Sequence, residues 1–383
     1  MSDKKKILIL TSTGGGGHFQ TSNALESYLK DKYHVKVCPI FQKILPSIYP
    51  PGFSSTSSGE DFYNSFIPGK HFTILSFIYY LGRWYIQHHK KKLIKILRAY
   101  FAEEKPDLII SVVPIINNMV LQAAEELTIP FLLIPTDLDV NSFILNLKNP
   151  TYEKFHVGLM FKTDDIVAPL KKHGIADKHI NVIGAPLRKD FLEKKDKDRL
   201  KKSYNIDKYK LVAMVLMGSY GSYDTEKYVE ELLKYNQPLH IFACIGKNED
   251  SRKKLSALDI PPHISLSIVG FTDTIADYMA MSDFFISKSG TLSICEALYM
   301  NLPLLLDATS TLLPWEKFNH PFIKNKGYGD LITEYDQTTP LLTDIVKNNF
   351  ITQYKNNIKQ LDKKNCANQI RALVKRIIFY DTQ

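Results

Sequence analysis

Residues 6–18 constrain this chain more than any other stretch. The apolar run Ile7, Leu8, Ile9, Leu10 passes, through Thr11, Ser12 and Thr13, into Gly14, Gly15, Gly16, Gly17 and His18. The run is too short for a helix and does not alternate with polar residues, so it predicts a strand buried on both faces, as in parallel sheets. Ala24, Leu25, Tyr28 and Leu29 then recur at helical spacing. Strand, glycine loop and helix in that order predict an α/β domain with helices on the faces of a parallel sheet.

The same alternation returns at 107–113 (strand), about 119–127 (helix) and 129–135 (strand), and a last strand is expected to end near 182–186. The charged stretch 188–210 reads as a linker with a surface helix. A second cycle starts with the apolar segment 210–217 and its loop Gly218, Ser219, Tyr220, Gly221, Ser222. Strands are expected at 239–245, 264–270, 283–288 and 302–307. The 383 residues suit two domains of ~100–200 residues each. The expectation is therefore two doubly wound, Rossmann-like domains, 1–187 and 188–355, facing across a cleft, with a closing helix in 356–383. Ligands of such sheets bind outside the carboxyl ends of the strands.

Lys and Arg outnumber Asp and Glu by 49 to 40, a net charge of +9. Residues 70–100 alone carry five Lys and two Arg with no acid, so the excess is local. Aromatic residues interleave with it. Phe72, Phe77, Trp84, Lys90, Lys91 and Lys92 thus predict a segment that lies on an anionic membrane surface. An ordinary core helix with a solvated basic face is the competing reading, and a single-stranded nucleic-acid track a third. No RNP, KH or helix-turn-helix pattern supports nucleic acid. The longest apolar stretch, 72–81, is short of the ~20 residues that span a bilayer, and the apolar run after Met1 is short of the ~7–15 of a signal peptide. A cytoplasmic chain, held peripherally at the inner face of a membrane, is the expectation. Cys38, Cys244, Cys295 and Cys366 are scattered, which predicts reduced, buried thiols.

Consecutive glycines before a helix let backbone N–H groups approach a phosphate or polar head group, though a tight structural turn needs the same residues. The loop is no dinucleotide fingerprint, because position 19 is Phe, and no GxxxxGK[ST] run exists. His18 opens the helix, where the dipole disfavours imidazolium. A general base and a merely hydrogen-bonded ring both fit. Asp137 and Asp139 form a DxD spacing that suits either a metal or a turn; no metal ligand is assigned.

Taken in order, 14–18, 106–111, 135–137, 184–188, 217–221, 270–275 and 282–303 resemble the diacylglycerol glycosyltransferases that make monogalactosyl- and glucosyl-diacylglycerol. These are GT-B relatives of the peptidoglycan glucosaminyltransferase. The resemblance implies that the first domain takes the lipid acceptor and the second a UDP-sugar, UDP-galactose or UDP-glucose, with no cofactor besides this substrate. It implies that Glu296 holds the ribose hydroxyls and that Phe271 neighbours the uracil. Gly218, Ser219, Gly221, Ser289, Gly290 and Thr291 would surround the diphosphate, and Arg188 would add charge to it. His18 or Asp137 would deprotonate the acceptor hydroxyl, His18 being favoured, with inversion at the anomeric carbon. Three places depart from the family, one being the tight Ser219, Tyr220 loop, bulkier than the usual small residues. Asn141 and Ile144 stand where a His and a Trp are usual, and Trp315 replaces the Gln of the sugar-reading stretch that keeps Glu316 and Asn319. Transfer of UDP-GlcNAc to a peptidoglycan lipid precursor, a sugar-nucleotide epimerase of the same architecture, and a silent UDP-sugar or lipid binder remain as alternatives.

Overall fold

The structure, a computed structural model, describes residues 4–13, 17–44, 46, 72–207, 209–218 and 224–379. Two compact units emerge, Met1–Leu187 with Asp362–Gln383, and Arg188–Leu361.

The first unit runs β1 (Lys6–Thr11), α1 (Gly17–Leu29), β2 (His34–Pro39), α2 (Ile40–Ile44), α3 (Phe72–His88), α4 (Lys90–Glu104), β3 (Leu108–Ser111), α5 (Asn117–Glu126), β4 (Phe131–Leu133), β5 (Phe155–Leu159), α6 (Asp164–Lys172) and β6 (Ile180–Val182). Its six strands pair in parallel in the order β2-β1-β3-β4-β5-β6. From β1 the chain moves to one side for β2 and then to the other for β3. The strand order therefore reverses at β1/β3, and connections diverge there to leave a crevice. Strands β1, β3, β4 and β5 are buried almost throughout, which accounts for their unbroken apolar character.

The second unit continues with α7 (Lys189–Leu192), α8 (Lys197–Ser203), β7 (Leu211–Leu216), α9 (Asp224–Leu232), β8 (Leu239–Gly246), α10 (Glu249–Ser256), β9 (Ile264–Gly270), α11 (Ile275–Met281), β10 (Phe284–Ser287), α12 (Thr291–Tyr299), β11 (Leu304–Asp307), α13 (Asn319–Asn325), β12 (Gly329–Ile332), α14 (Thr338–Lys347) and α15 (Phe350–Gln360). The order β12-β11-β10-β7-β8-β9, again parallel, reverses at β7/β10. Asp283, just before β10, accepts from the Val212 N–H (3.0 Å), Lys197 (2.6 Å) and Lys355 (3.1 Å), tying α8 and α15 to the sheet.

The terminal segment differs from the single closing helix expected. Leu361 turns to extended backbone (φ −65°, ψ 125°) after α15, and a new helix, α16 (Cys366–Phe379), begins with the Asn365 carboxamide accepting from the Asn368 N–H. α15 belongs to the second unit. α16 returns to the first, where Arg371 donates to the Tyr28 carbonyl (2.7 Å) and Arg376 to Asn181 (2.7 Å). The polar run Asp362, Lys363, Lys364, Asn365 supplies no apolar face to bury, so the helix breaks there. Three strands lie beyond those expected: β2, β5 and β12. β12 opens on Gly329, a poor strand former, because a Cβ there would stand 1.7 Å from the Leu304 carbonyl oxygen of β11.

Candidate active site

At the β1/β3 reversal, His18 lies in the first turn of α1, and its ring crosses to the next strand. Nδ1 is 2.9 Å from the Val112 carbonyl oxygen and 2.8 Å from Thr136 Oγ1. A carbonyl only accepts, so the ring proton sits on Nδ1 and the neutral ring keeps its basic lone pair on Nε2. Thr11 Oγ1 donates to the His18 carbonyl at 3.1 Å, and Phe143 packs 6.4 Å from the imidazole between centroids. This is the geometry that orients a general base: one nitrogen tethered, the other basic.

Asp137 follows β4 beside Thr136 and is half-buried. Its charge reaches Tyr79 of α3, whose hydroxyl burial pushes upward and the Ser142 hydrogen bond draws back down. Asp139 instead caps a short turn, accepting from the Asn141 N–H (3.0 Å) and the Asn141 carboxamide (2.6 Å). The DxD spacing is thus used locally in part, and among the described residues no three His, Cys, Asp or Glu gather as a metal would require.

Helix α3 backs onto this end. Gln87 donates to the Ile115 carbonyl (2.7 Å) and accepts from Asn118 (3.2 Å) and Asn146 (3.0 Å). Its other face exposes Phe77 (69%), Tyr80 (52%), Leu81 (52%) and Trp84 (60%) at i, i+3, i+4 and i+7, a single apolar ridge. The α4 helix buries Leu93, Ile94, Leu97, Tyr100 and Phe101. It is a core helix, with Lys91 and Lys92 exposed and Lys90 half-buried at its start. No described helix is long and apolar enough to cross a membrane.

At the β7/β10 reversal, Gly218 has φ +105°, and a Cβ there would lie 3.3 Å from the Lys288 side chain. Lys288 and Ser289 leave β10 and Gly290 is the N-cap of α12, whose first amides point out of the helix with its positive dipole end. Lys288 also faces Glu316; burial raises that carboxyl's pKa, while the ammonium and the Leu313 backbone oppose the rise. Asn319, 0% exposed, supports the turn from beneath through Ser289 O (2.7 Å) and Thr291 Oγ1 (3.2 Å). An exposed lysine ammonium, a serine hydroxyl and helix-terminal N–H groups together suit an anion at this end.

One turn further along α12, Glu296 is pushed up to about 8 by burial, against the pull of Arg188 and with a push from Asp190. Arg188 donates to the Asp273 carbonyl (3.3 Å), lies 3.7 Å from Asp190 and stacks on Phe191. The structure therefore brings Arg188 to Glu296, while the cation beside Ser289 is Lys288. Phe271 is 63% exposed under the Lys247 ammonium, 5.1 Å from its ring centroid. Trp315 is half-buried next to Glu316. Gly17 opens α1, and a Cβ added to it would meet nothing within 4 Å. Gly14, Gly15, Gly16, Ser219 and Gly221 lie outside the described residues, as does the side chain of Phe72.

Sequence reasoning places Lys288 with Ser289, Gly290 and Thr291 where a nucleotide would lie but gives its ammonium no role of its own, and it overlooks His320, whose Nε2 is 2.6 Å from Ser289 Oγ. Lys288 adjoins the Ser289, Gly290, Thr291 turn, and that position is the available signal. Nothing in the sequence marks His320, because its partner is 31 residues away.

Residues 212–307 match the glycosyltransferase family 28 C-terminal domain, and this stretch carries both Gly218 and the Lys288 turn. The processive diacylglycerol beta-glucosyltransferase of Bacillus subtilis is 24% identical over 97% of this chain and 94% of that protein. The Bacillus cereus protein of the same name is 25% identical over 97% of this chain and 93% of its own length. Among solved structures, Acinetobacter baumannii MurG superposes with a TM-score of 0.64 at 13% identity, covering 97% of this chain and 99% of MurG. The chain therefore has the GT-B fold, is similar over almost its whole length to processive diacylglycerol β-glucosyltransferases, and matches the glycosyltransferase family 28 C-terminal domain within its second unit.

Proposed function

We propose that this protein transfers a hexose from a UDP-sugar to the hydroxyl of diacylglycerol at a membrane surface, inverting the anomeric carbon. The observation that carries the reading is the anion seat at β7/β10, with Lys288 against Gly218 and the Ser289 turn, inside the family 28 segment. The donor's diphosphate would sit there. Negative charge that grows on it as the glycosidic bond breaks is stabilised more in the transition state than in the ground state. Ser289, Gly290, Thr291 and Gly218 would supply donors, Glu296 would hold the ribose hydroxyls, Phe271 would flank the uracil, and Glu316 and Trp315 would shape the hexose site. Lys288 joins this set, and Arg188 acts on it through Glu296.

His18 would take the acceptor proton on Nε2 as the diacylglycerol oxygen attacks, with Asp137 the second candidate. The donor is a substrate, and the reading asks for no metal: an ammonium and N–H groups already meet the charge. The aromatic ridge of α3 would enter the headgroup layer, with the lysines at the start of α4 toward anionic lipid. Relatives named for glucose transfer make UDP-glucose the first donor to test.

The test is incubation of the protein and diacylglycerol-bearing anionic liposomes with UDP-glucose, UDP-galactose and UDP-GlcNAc separately, following UDP release and lipid mass. A hexosyl-diacylglycerol from one of the hexose donors is expected. UDP binding without any lipid product from the three would overturn the reading.

A further inference from the structure

Around Ser289 the second unit builds a chain of hydrogen bonds that the donor-site reading does not use. Ser289 Oγ and His320 Nε2 are 2.6 Å apart, across the gap between the β10 turn and α13. On its far side the ring meets the backbone of Asp307, at the end of β11, in the sense that favours imidazolium, as a carbonyl acceptor does. With one ring N–H committed to a carbonyl, which can only accept, the neutral ring receives the serine proton at Nε2. Ser289 then turns a lone pair, not a hydrogen, toward anything seated at the start of α12. For a diphosphate that is the unfavourable orientation.

We propose that His320 is a positioning residue that couples donor binding to the uptake of a proton. Protonated at Nε2, it donates to Ser289 Oγ and turns the serine hydroxyl so that it donates to the diphosphate. The balance is simple: a proton leaves solvent for Nε2, the O–H of Ser289 stays intact but changes direction, and no other bond is made or broken. This inference rests on reading the β7/β10 end as the donor site.

The groups facing the ring set the sign. Burial lowers its pKa below the ordinary histidine range, while Asp307 raises it; the Asp307 carboxylate is itself held by Tyr228 (2.7 Å) and by Thr309 (2.7 Å). Lys288 adjoins Ser289 and is paired in charge with Glu316, four residues before His320 on the approach to α13, and neither is among the groups that shift the ring, which are burial and Asp307. Without a donor the ring is thus neutral near pH 7, and an arriving diphosphate adds negative charge that favours imidazolium. A UDP-sugar carries no group that titrates near neutrality, so proton uptake on binding belongs to the protein.

Calorimetric titration of UDP-glucose without acceptor, in buffers of different ionisation heat between about pH 6 and 8, counts the protons. UDP, whose terminal phosphate itself titrates at about pH 6, serves as a second probe of binding alone. Wild type is expected to take up ~1 proton per donor bound, with affinity rising up to ~10-fold per pH unit lowered between the ligand-bound and ligand-free pKa values. His320→Val should bind more weakly, at all pH values alike, with no uptake. His320→Gln, whose amide N–H can donate to Ser289 at every pH, should restore affinity without restoring uptake. That rescue, with thermal unfolding of both variants, separates the role from simple packing. Binding of UDP-glucose to wild type without uptake, or uptake that persists in His320→Val, would overturn the inference alone. Failure of wild type to bind either probe would instead overturn the donor-site reading beneath it.

Discussion

The two sheet reversals share a topology and differ in chemistry. At β1/β3 a strand passes through a glycine loop to a helix, and what the next strands offer is a carbonyl, Val112, and a hydroxyl, Thr136, both on one nitrogen of His18. At β7/β10 the glycine at the strand end lies against the Lys288 side chain, and the helix behind begins at Thr291 with Ser289 and Gly290 leading into it. The first arrangement fixes a tautomer and suits the base proposed above. The second brings a lysine and hydrogen-bond donors together and suits the proposed anion. One backbone plan thus carries two different chemistries because the side chains on the loops, and not the strands, set them.

The comparison is broken most severely by removing the proposed base. His18→Ala should lower turnover by ~10²–10⁴-fold, leaving the affinity for UDP unchanged, as rate assays beside calorimetry will show. If turnover survives in that variant and falls in Asp137→Asn, the role moves to Asp137. Next is Lys288→Ala, expected to weaken donor binding by about 1.5–3 kcal/mol, the scale of hydrogen bonds to charged groups. An effect on acceptor KM alone would place Lys288 elsewhere in the reaction.

Glu296→Gln probes the outer turn of α12 through pH. The folded carboxyl titrates near 8 against an ordinary 4.5. A carboxyl pushed up in the fold binds more protons than it does unfolded between those values, so wild-type stability falls as pH rises from 4.5 to about 8. The Gln variant escapes this, so its stability advantage should widen across that window and stay level above it, measured by denaturant unfolding. A constant gap would mean that the carboxyl is not desolvated. Smallest is Trp84→Ala, with a loss of a few-fold in binding to anionic vesicles. The Lys91→Ala, Lys92→Ala pair should cost about 1 kcal/mol per lysine. Unchanged flotation would leave the α3 ridge without a membrane role.

Much of the fold is legible in the order of residues alone. Buried parallel strands are apolar without interruption, so β1, β7 and β8 announce themselves, and each glycine at a strand end marks a loop where a ligand could approach. β2 is less visible because it is an edge strand, with Lys36 and His34 alternating outward. β5 carries His156 and Gly158 in a five-residue run, and β12 opens on the glycine that its neighbour's carbonyl demands. The terminal segment reads as one helix because apolar spacing on both sides of the break at 361–365 has the same period, and only the pairing of α16 with α1 shows which unit it serves. At the site, local signals such as the Ser289, Gly290, Thr291 turn can be read. The pairing of Ser289 with His320, of Lys288 with Gly218 and of Arg188 with Glu296 joins residues far apart in the chain, and spacing carries no record of such contacts.

Proton NMR of the lipid product is the most direct test of base-assisted transfer to diacylglycerol, because the anomeric proton reports on the acceptor, the donor and the path of attack together. From UDP-glucose and diacylglycerol liposomes the expected product is a β-glucosyl-diacylglycerol formed with stoichiometric UDP. An α-glycoside would contradict direct displacement assisted by His18, and glucose released to water with no lipid product would contradict the acceptor.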